Sequence, residues 1–130
     1  MSVPAKRKTY EHGIKSEKIA AMWLRLKGYK IIELRHKTLV GEIDIIARKR
    51  NMIVFVEVKA RPTMAQAMES ITPRMKQRIE MAAVHYMSKN FPKDFDMRFD
   101  VVAVLPARFQ DISRGRLFIH HLDNAWQAKS

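Results

Sequence analysis

The sequence of 130 residues contains no cysteine, which excludes disulfides and thiolate metal sites and agrees with a reducing compartment. It also lacks an apolar run long enough to span a membrane, and the basic segment Lys6-Arg7-Lys8 is not followed by the apolar stretch of a signal peptide. The few glycines form no phosphate-binding loop. We therefore expect a cytoplasmic protein that does not bind membranes.

Acidic residues are also scarce, because 13 Asp and Glu stand against 25 Lys and Arg and leave a formal net charge of +12. An excess this large favours a polyanionic partner, either nucleic acid or an acidic membrane surface. Of these two, we expect DNA or RNA.

The chain length fits a basic disordered arm over residues 1–9 and a single domain over residues 10–127. Hydrophobic periodicity, caps and turn residues predict the element order α-β-β-β-α-β-β, an α/β fold with a mixed central β-sheet flanked by helices. The predicted elements are a helix from Tyr10 to Lys27 stopped by Gly28, a strand from Tyr29 to Leu34, a hairpin within Gly41 to Arg61, a loop from Pro62 to Ala67, a helix from Thr72-Pro73 to Lys89, a strand from Met97 to Leu105, an edge strand from Leu117 to Leu122, and a short turn capped by Asp123 that docks Trp126.

The hairpin has acidic residues in both of its apolar arms. If Arg50-Asn51 form its tip, the numbers of opposed residues sum to 101, so that Asp44 faces Glu57 and Glu42 faces Lys59. Opposed carboxylates repel each other unless a cation lies between them. With oxygen ligands only, that cation is expected to be Mg²⁺ or Mn²⁺.

Two further acids need partners. Glu17 lies on the inward stripe of the first helix, where it either pairs with Lys or Arg or adds a third acid to the metal site. Whether Glu42 also joins that site is left open. Asp100 lies in an apolar strand and needs a partner such as Arg98, so we expect a structural ion pair, with a metal role as the alternative.

The runs Gly-Glu-Ile-Asp-Ile-Ile-Ala from Gly41 and Phe-Val-Glu-Val-Lys-Ala-Arg from Phe55 resemble the core motif of the YraN-like family of small bacterial proteins. That family is similar to restriction-endonuclease-like nucleases with an Asp…Glu-x-Lys motif, notably archaeal Holliday junction resolvases. The resemblance implies a restriction-endonuclease-like fold, a nuclease-like domain over residues 10–127 and, from the resolvases, a homodimer.

Carried over by motif, the resemblance implies catalytic residues Asp44, Glu57 and Lys59. Asp44, Glu57 and the Val58 carbonyl would bind the metal, with Glu17 as the candidate additional ligand, and Lys59 would orient the attacking water. The residues that we expect to contact nucleic acid are Arg61, Lys76, Arg35 and Lys37.

The leading hypothesis is a Mg²⁺-dependent endonuclease acting on branched or non-standard DNA. The alternative is a non-catalytic nucleic-acid-binding or accessory module that kept the nuclease fold, and a third is a basic protein that docks on ribosomal RNA or an acidic protein. Only metal-dependent cleavage separates the first two, so whether the protein is an enzyme stays open.

Overall fold

The computed structural model describes residues 5–105 and 118–128, with the side chains of residues 15–105 and 118–128. Its elements are α1 (Ala5–Leu26), β1 (Lys30–Lys37), β2 (Glu42–Lys49), β3 (Met52–Ala60), α2 (Met64–Glu69), α3 (Pro73–Asn90), β4 (Asp96–Val104) and β5 (Ile119–Trp126). The strands form one sheet in the order β1-β2-β3-β4-β5, in which only β3 and β4 run parallel. The predicted α/β fold with a mixed sheet flanked by helices is confirmed, with α2 as an additional short helix.

The sheet is covered on both faces. On one face, Ala20 and Leu24 of α1 pack with Val54 and Val56 of β3. On the other, residues of α3 such as Ile79 and Tyr86 pack with Phe55 and Phe99. Full burial of one large apolar side chain contributes about 1.5–3 kcal/mol. The central strand β3 is apolar on both faces, so its side chains stabilise the packing of both helix layers.

The hairpin has the predicted register. Lys49 pairs with Met52 around the two-residue tip Arg50-Asn51, and pairing continues to Ile45 and Val56, so opposed residues sum to 101. Arg50 has a φ of 58°, as a tight hairpin turn requires. The tip therefore determines which residues of the two arms lie opposite each other.

The first helix begins earlier than predicted. Residues 5–9, which we assigned to a disordered arm, belong to α1, while residues 1–4 lie outside the described residues. Ala, Lys and Arg are among the strongest helix formers, so a run of positive charge does not by itself end a helix. At the other end, Gly28 with a φ of 92° follows α1 as predicted.

The segment predicted as a loop after β3 contains α2. The hydroxyl of Thr63 accepts a hydrogen bond from the Gln66 N–H at 3.1 Å and caps the helix. Thr is a preferred capping residue, so Thr63 immediately before Met64 is a local sequence signal for the start of α2.

The end of the domain also differs from the prediction. Asp123 does not cap a turn, because β5 continues through it to Trp126. The indole ring of Trp126 stacks on Phe99 with 5.1 Å between ring centroids, and the N–H of Asn124 donates to Asp100. These contacts with β4 keep the segment extended. None of the helices in the described ranges is both long and apolar enough to cross a membrane.

Candidate metal centre

Asp44 lies on β2 between charged residues of the two neighbouring strands. In the β1–β2 ladder, the pairs Leu34–Ile45 and His36–Ile43 leave Arg35 opposite Asp44. In the β2–β3 hairpin, Asp44 and Glu57 are the next residues after the last regular pair, Ile45–Val56. Their carboxylates are close enough for the charge of Asp44 to raise the pKa of Glu57. Thus Asp44 has a cation in one neighbouring strand and a second acid in the other.

The carboxylate of Asp44 accepts a backbone hydrogen bond from the other arm of the hairpin. Regular pairing of β2 with β3 stops at Ile45–Val56, and beyond it the Val58 N–H donates to Asp44 Oδ2 at 2.9 Å. A backbone donor favours the ionised form of a carboxylate. The strand end therefore orients one oxygen of Asp44.

Two more carboxylates converge on Asp44. One oxygen from each of Glu17, Glu42 and Asp44 lies within 4.8 Å of the other two. Both alternatives predicted for Glu17 are observed. Its side chain joins this group, and it also accepts a hydrogen bond from Arg35 Nε at 2.8 Å. Arg35 Nε lies 3.8 Å from Glu42 Oε1 as well.

Glu57 is beside this group but is not a member of it. The residue is only 4% exposed, and its Oε1 has no hydrogen-bond partner. Burial raises the pKa of Glu57 well above its ordinary value, and the charge of Asp44 raises it further, while Lys59 opposes both. Burial also raises the pKa of Asp44, against the Val58 N–H and Lys59. In the metal-free protein, Asp44 and Glu57 therefore retain a proton more readily than two exposed acids do.

A divalent cation fits this arrangement. Glu57 Oε1 is a buried acceptor that lacks a donor, and an isolated group of that kind is rare in folded proteins. The nearby donors are carboxylate oxygens, which suit Mg²⁺ and Mn²⁺ better than zinc. Within the described part of the chain, Glu17, Glu42 and Asp44 are the only group of three such ligands. The Val58 carbonyl stays a predicted ligand.

A surface cavity of about 170 Å³ reaches Glu57 from the side of α3. Glu42 and Arg78 also line it. Arg78 is a cation that we did not single out from the sequence, because its spacing on α3 only predicts an exposed side chain. Its position makes it a candidate for contacting a phosphate near the acids.

The residues predicted to contact nucleic acid are distributed unevenly. Lys37 pairs with Glu42 in the β1–β2 ladder, so it flanks the acids, and Arg61 follows Lys59 by two residues. Lys76 instead lies on α3, with its Nζ 5.7 Å from the Trp126 ring centroid. Arg35 is ion-paired with Glu17. It therefore belongs to the surroundings of Glu17, Glu42 and Asp44, which we call the acid cluster.

A second polar network lies elsewhere in the sheet. The predicted ion pair of Asp100 with Arg98 is confirmed, with two hydrogen bonds of 2.8 Å. His121 Nε2 is 2.7 Å from Asp100 Oδ2, and its Nδ1 is 2.7 Å from Lys27 Nζ. Since Lys can only donate, Nδ1 accepts and Nε2–H donates to Asp100. Sequence reasoning missed His121, because nothing local shows which carboxylate it faces.

Asp100 differs from Glu57 because all of its oxygens have donors. Burial raises the pKa of Asp100, but hydrogen bonds from His121, Arg98 and the Asn124 N–H outweigh it, so the pKa lies below its ordinary value of 3.8. A buried acid with complete hydrogen bonding is a structural element, whereas one with an unpartnered oxygen is a candidate ligand.

The site lies within a segment shared with other bacterial proteins. The profile of "Uncharacterised protein family UPF0102" matches residues 16–104. The chain belongs to this family. UPF0102 corresponds to the YraN-like family, so the resemblance seen in the hairpin motif is confirmed. The matched segment contains all four acids of the site, together with Arg35 and Lys59.

Several UPF0102 proteins are similar over most of their length. The chain is 44% identical over 113 residues to a UPF0102 protein of Bartonella tribocorum, with 83% of this chain and 85% of the relative covered. It is 48% identical over 106 residues to one of Bartonella bacilliformis, with 79% and 85% covered. It is 47% identical over 106 residues to one of Mesorhizobium japonicum, with 81% and 85% covered.

Proposed function

We propose that this UPF0102 protein is a Mg²⁺- or Mn²⁺-dependent endonuclease that acts on branched or otherwise non-standard DNA. The observation that supports this function most strongly is the group of Glu17, Glu42 and Asp44 within 4.8 Å, next to a buried Glu57 with an unpartnered oxygen. Arg35 offsets only part of this negative charge. The group therefore favours a further cation, because carboxylates repel one another and an unpaired buried acceptor is destabilising. The net charge of +12 favours a polyanionic substrate.

In this mechanism, the chain positions a metal ion and a phosphate. The ligands would come from Asp44, Glu57, Glu17 and Glu42, with the Val58 carbonyl as a further candidate. When bound, the metal supplies positive charge at the scissile phosphate and a more acidic water. The Val58 N–H keeps Asp44 oriented, and the Lys59 ammonium, which is close enough to lower the pKa of both Asp44 and Glu57, orients the water and offsets charge on the phosphate.

The test combines metal binding with cleavage. Calorimetric titration with Mn²⁺ should give saturable binding for the wild-type protein and for Asp94→Asn, but not for Asp44→Asn. Asp94 is an exposed control whose φ of 64° is one that Asn tolerates. With Mg²⁺ or Mn²⁺, labelled four-way junctions or flaps should be cut by the first two proteins only.

Other outcomes are equally informative. Absence of Mn²⁺ binding would contradict the proposed metal site. Metal binding and DNA binding without cleavage of junction, flap, single-stranded or duplex DNA would instead indicate a non-catalytic binding module. Cleavage that survives in Asp44→Asn would show that the activity belongs to another site or another protein.

A further inference from the structure

Arg35 has an unusual backbone conformation at the edge of the acid cluster. Its φ is 56°, although it lies within β1 and the ladder pairs on both sides of it, Leu34–Ile45 and His36–Ile43, are intact. The left-handed region is unfavourable for a residue other than glycine, because its Cβ then lies too close to a carbonyl oxygen. The fold keeps this conformation at a position directly opposite Asp44, which indicates that the placement of the Arg35 side chain is important.

The guanidinium of Arg35 contacts two of the carboxylates that would bind a metal. Its Nε donates to Glu17 Oε2 at 2.8 Å and lies 3.8 Å from Glu42 Oε1. Both acids belong to the group of three ligand atoms around Asp44. Arg35 therefore already supplies positive charge to the cluster, although it does not neutralise three carboxylates and the buried Glu57.

Arg35 is partly exposed at the edge of the cluster. Its side chain is 29% exposed, compared with 12% for Glu17, so Arg35 lies nearer to solvent than the acid that it binds. A divalent cation between the same carboxylates would repel it and compete for its acceptors. A released guanidinium beside the metal would face the position of a bound phosphate, for which its planar donors are well suited.

We propose that Arg35 is an internal counter-cation that occupies the acid cluster without metal and, when a divalent metal binds, turns outward to bind the nucleic-acid phosphate. This inference rests on the proposed function of the cluster. Because coupling between two ligands is reciprocal, metal should strengthen nucleic-acid binding and nucleic acid should strengthen metal binding, both through Arg35.

The first experiment is a calorimetric Mn²⁺ titration without nucleic acid. Arg35→Gln should bind Mn²⁺ about fivefold to tenfold more tightly than the wild type, because a competing charge has been removed. Arg50→Gln is the matched control, since Arg50 is an exposed arginine with a similar φ of 58°, and it should leave the affinity unchanged. If Arg35→Gln fails to fold, Arg35→Asn provides the same test in a residue that tolerates the left-handed conformation.

The second experiment measures binding of a labelled junction in the presence of Ca²⁺. This cation binds oxygen ligands, so its effect on junction affinity can be measured without relying on cleavage. The cation should strengthen binding for the wild type and Arg50→Gln, and this gain should be reduced severalfold for Arg35→Gln. If Arg35 is a mobile counter-cation, Arg35→Gln binds Mn²⁺ more tightly but gains less junction affinity from Ca²⁺. If Arg35 is purely structural, the affinity for Mn²⁺ and the affinity for the junction should both fall.

The failure of this inference can be told apart from the failure of the proposed function. If neither the wild type nor Arg35→Gln binds Mn²⁺, the metal site itself is wrong. If the wild type binds Mn²⁺ and Arg35→Gln binds it equally or more weakly, the metal site stands and the role of Arg35 is overturned. An unchanged cation effect on junction binding in Arg35→Gln would also overturn it.

Discussion

The carboxylate of Asp44 accepts a hydrogen bond from the backbone N–H of Val58, at 2.9 Å, where the regular β2–β3 pairing ends. This contact distinguishes Asp44 from the neighbouring Glu57, whose Oε1 has no donor at all. A donor stabilises a charged carboxylate, and burial without a donor destabilises it. Asp44 is therefore suited to orient a cation, and Glu57 is the acid that gains most from the arrival of one.

The first prediction is that Glu57 reduces the stability of the metal-free fold. Glu57→Met should raise the free energy of unfolding by about 1–3 kcal/mol in a metal-free urea titration at pH 7.5, because it removes a buried acceptor that lacks a partner. The folded-state pKa of Glu57 lies above that of the unfolded chain, so its ionisation destabilises the fold as pH rises through the folded-state value. The gain should therefore grow with pH.

Glu69→Met is the control for this experiment, since Glu69 is exposed at the end of α2, and it should show no such gain. The same Glu57→Met protein should lose Mn²⁺ binding. A fall in stability would mean that Glu57 has a favourable partner in the metal-free protein.

The second prediction separates catalysis from binding at Lys59. Lys59→Ala should lose metal-dependent cleavage of a junction by at least about 100-fold, the lower range for a positioned catalytic group. Its affinity for the junction should hardly change, because one of 25 basic residues contributes little to a diffuse phosphate footprint. Lys30→Ala, at the opposite end of β1 from the acids, is the matched control and should retain both properties. Equal losses in the two variants would refute a special role for Lys59.

The third prediction concerns the electrostatics of nucleic-acid binding. Affinity for DNA should fall steeply with salt, because each neutralised phosphate releases condensed counterions. Without metal, Asp44→Asn should bind DNA more tightly than the wild type, since it removes a negative charge near the expected phosphate position, whereas Asp94→Asn should have little effect. Fluorescence anisotropy over a range of salt concentrations measures both. A flat plot of log affinity against log salt would reject phosphate-dominated binding.

The fourth prediction assigns Asp100 to stability alone. Asp100→Asn should lower the free energy of unfolding at pH 7 by about 3 kcal/mol, because it removes one partner of a buried ion pair. Because the folded-state pKa of Asp100 is depressed, the wild type should lose this contribution as pH falls below about 3.8 and through the folded-state value. The two proteins should therefore become more similar in acid.

Urea titrations at pH 7 and pH 3 measure this convergence. Asp96→Asn, an exposed substitution in the same strand, should behave like the wild type at both pH values. A difference between wild type and Asp100→Asn that does not depend on pH would show that the charge of Asp100 is unimportant.

Much of the fold follows from the sequence alone. The hairpin register, the caps at Gly28 and Thr72, and the pairing of Asp100 with Arg98 were predictable, because each depends on residues that are close in the chain or on one repeating period. The same register places Asp44 and Glu57 next after the last pair, Ile45–Val56, and the two carboxylates interact as the sequence predicted. These features belong to individual elements, whose geometry is set by local sterics and hydrogen bonding.

The composition of the site was decided by tertiary structure. Glu17 comes from α1 and Arg35 from β1, and their meeting with the hairpin depends on how the helix layer packs and on a left-handed residue within a strand. In the same way, His121 reaches Asp100 only because β5 continues beside β4. Periodicity assigns a side chain to one face of an element, but the packing and twist of the layers determine which face of another element it meets.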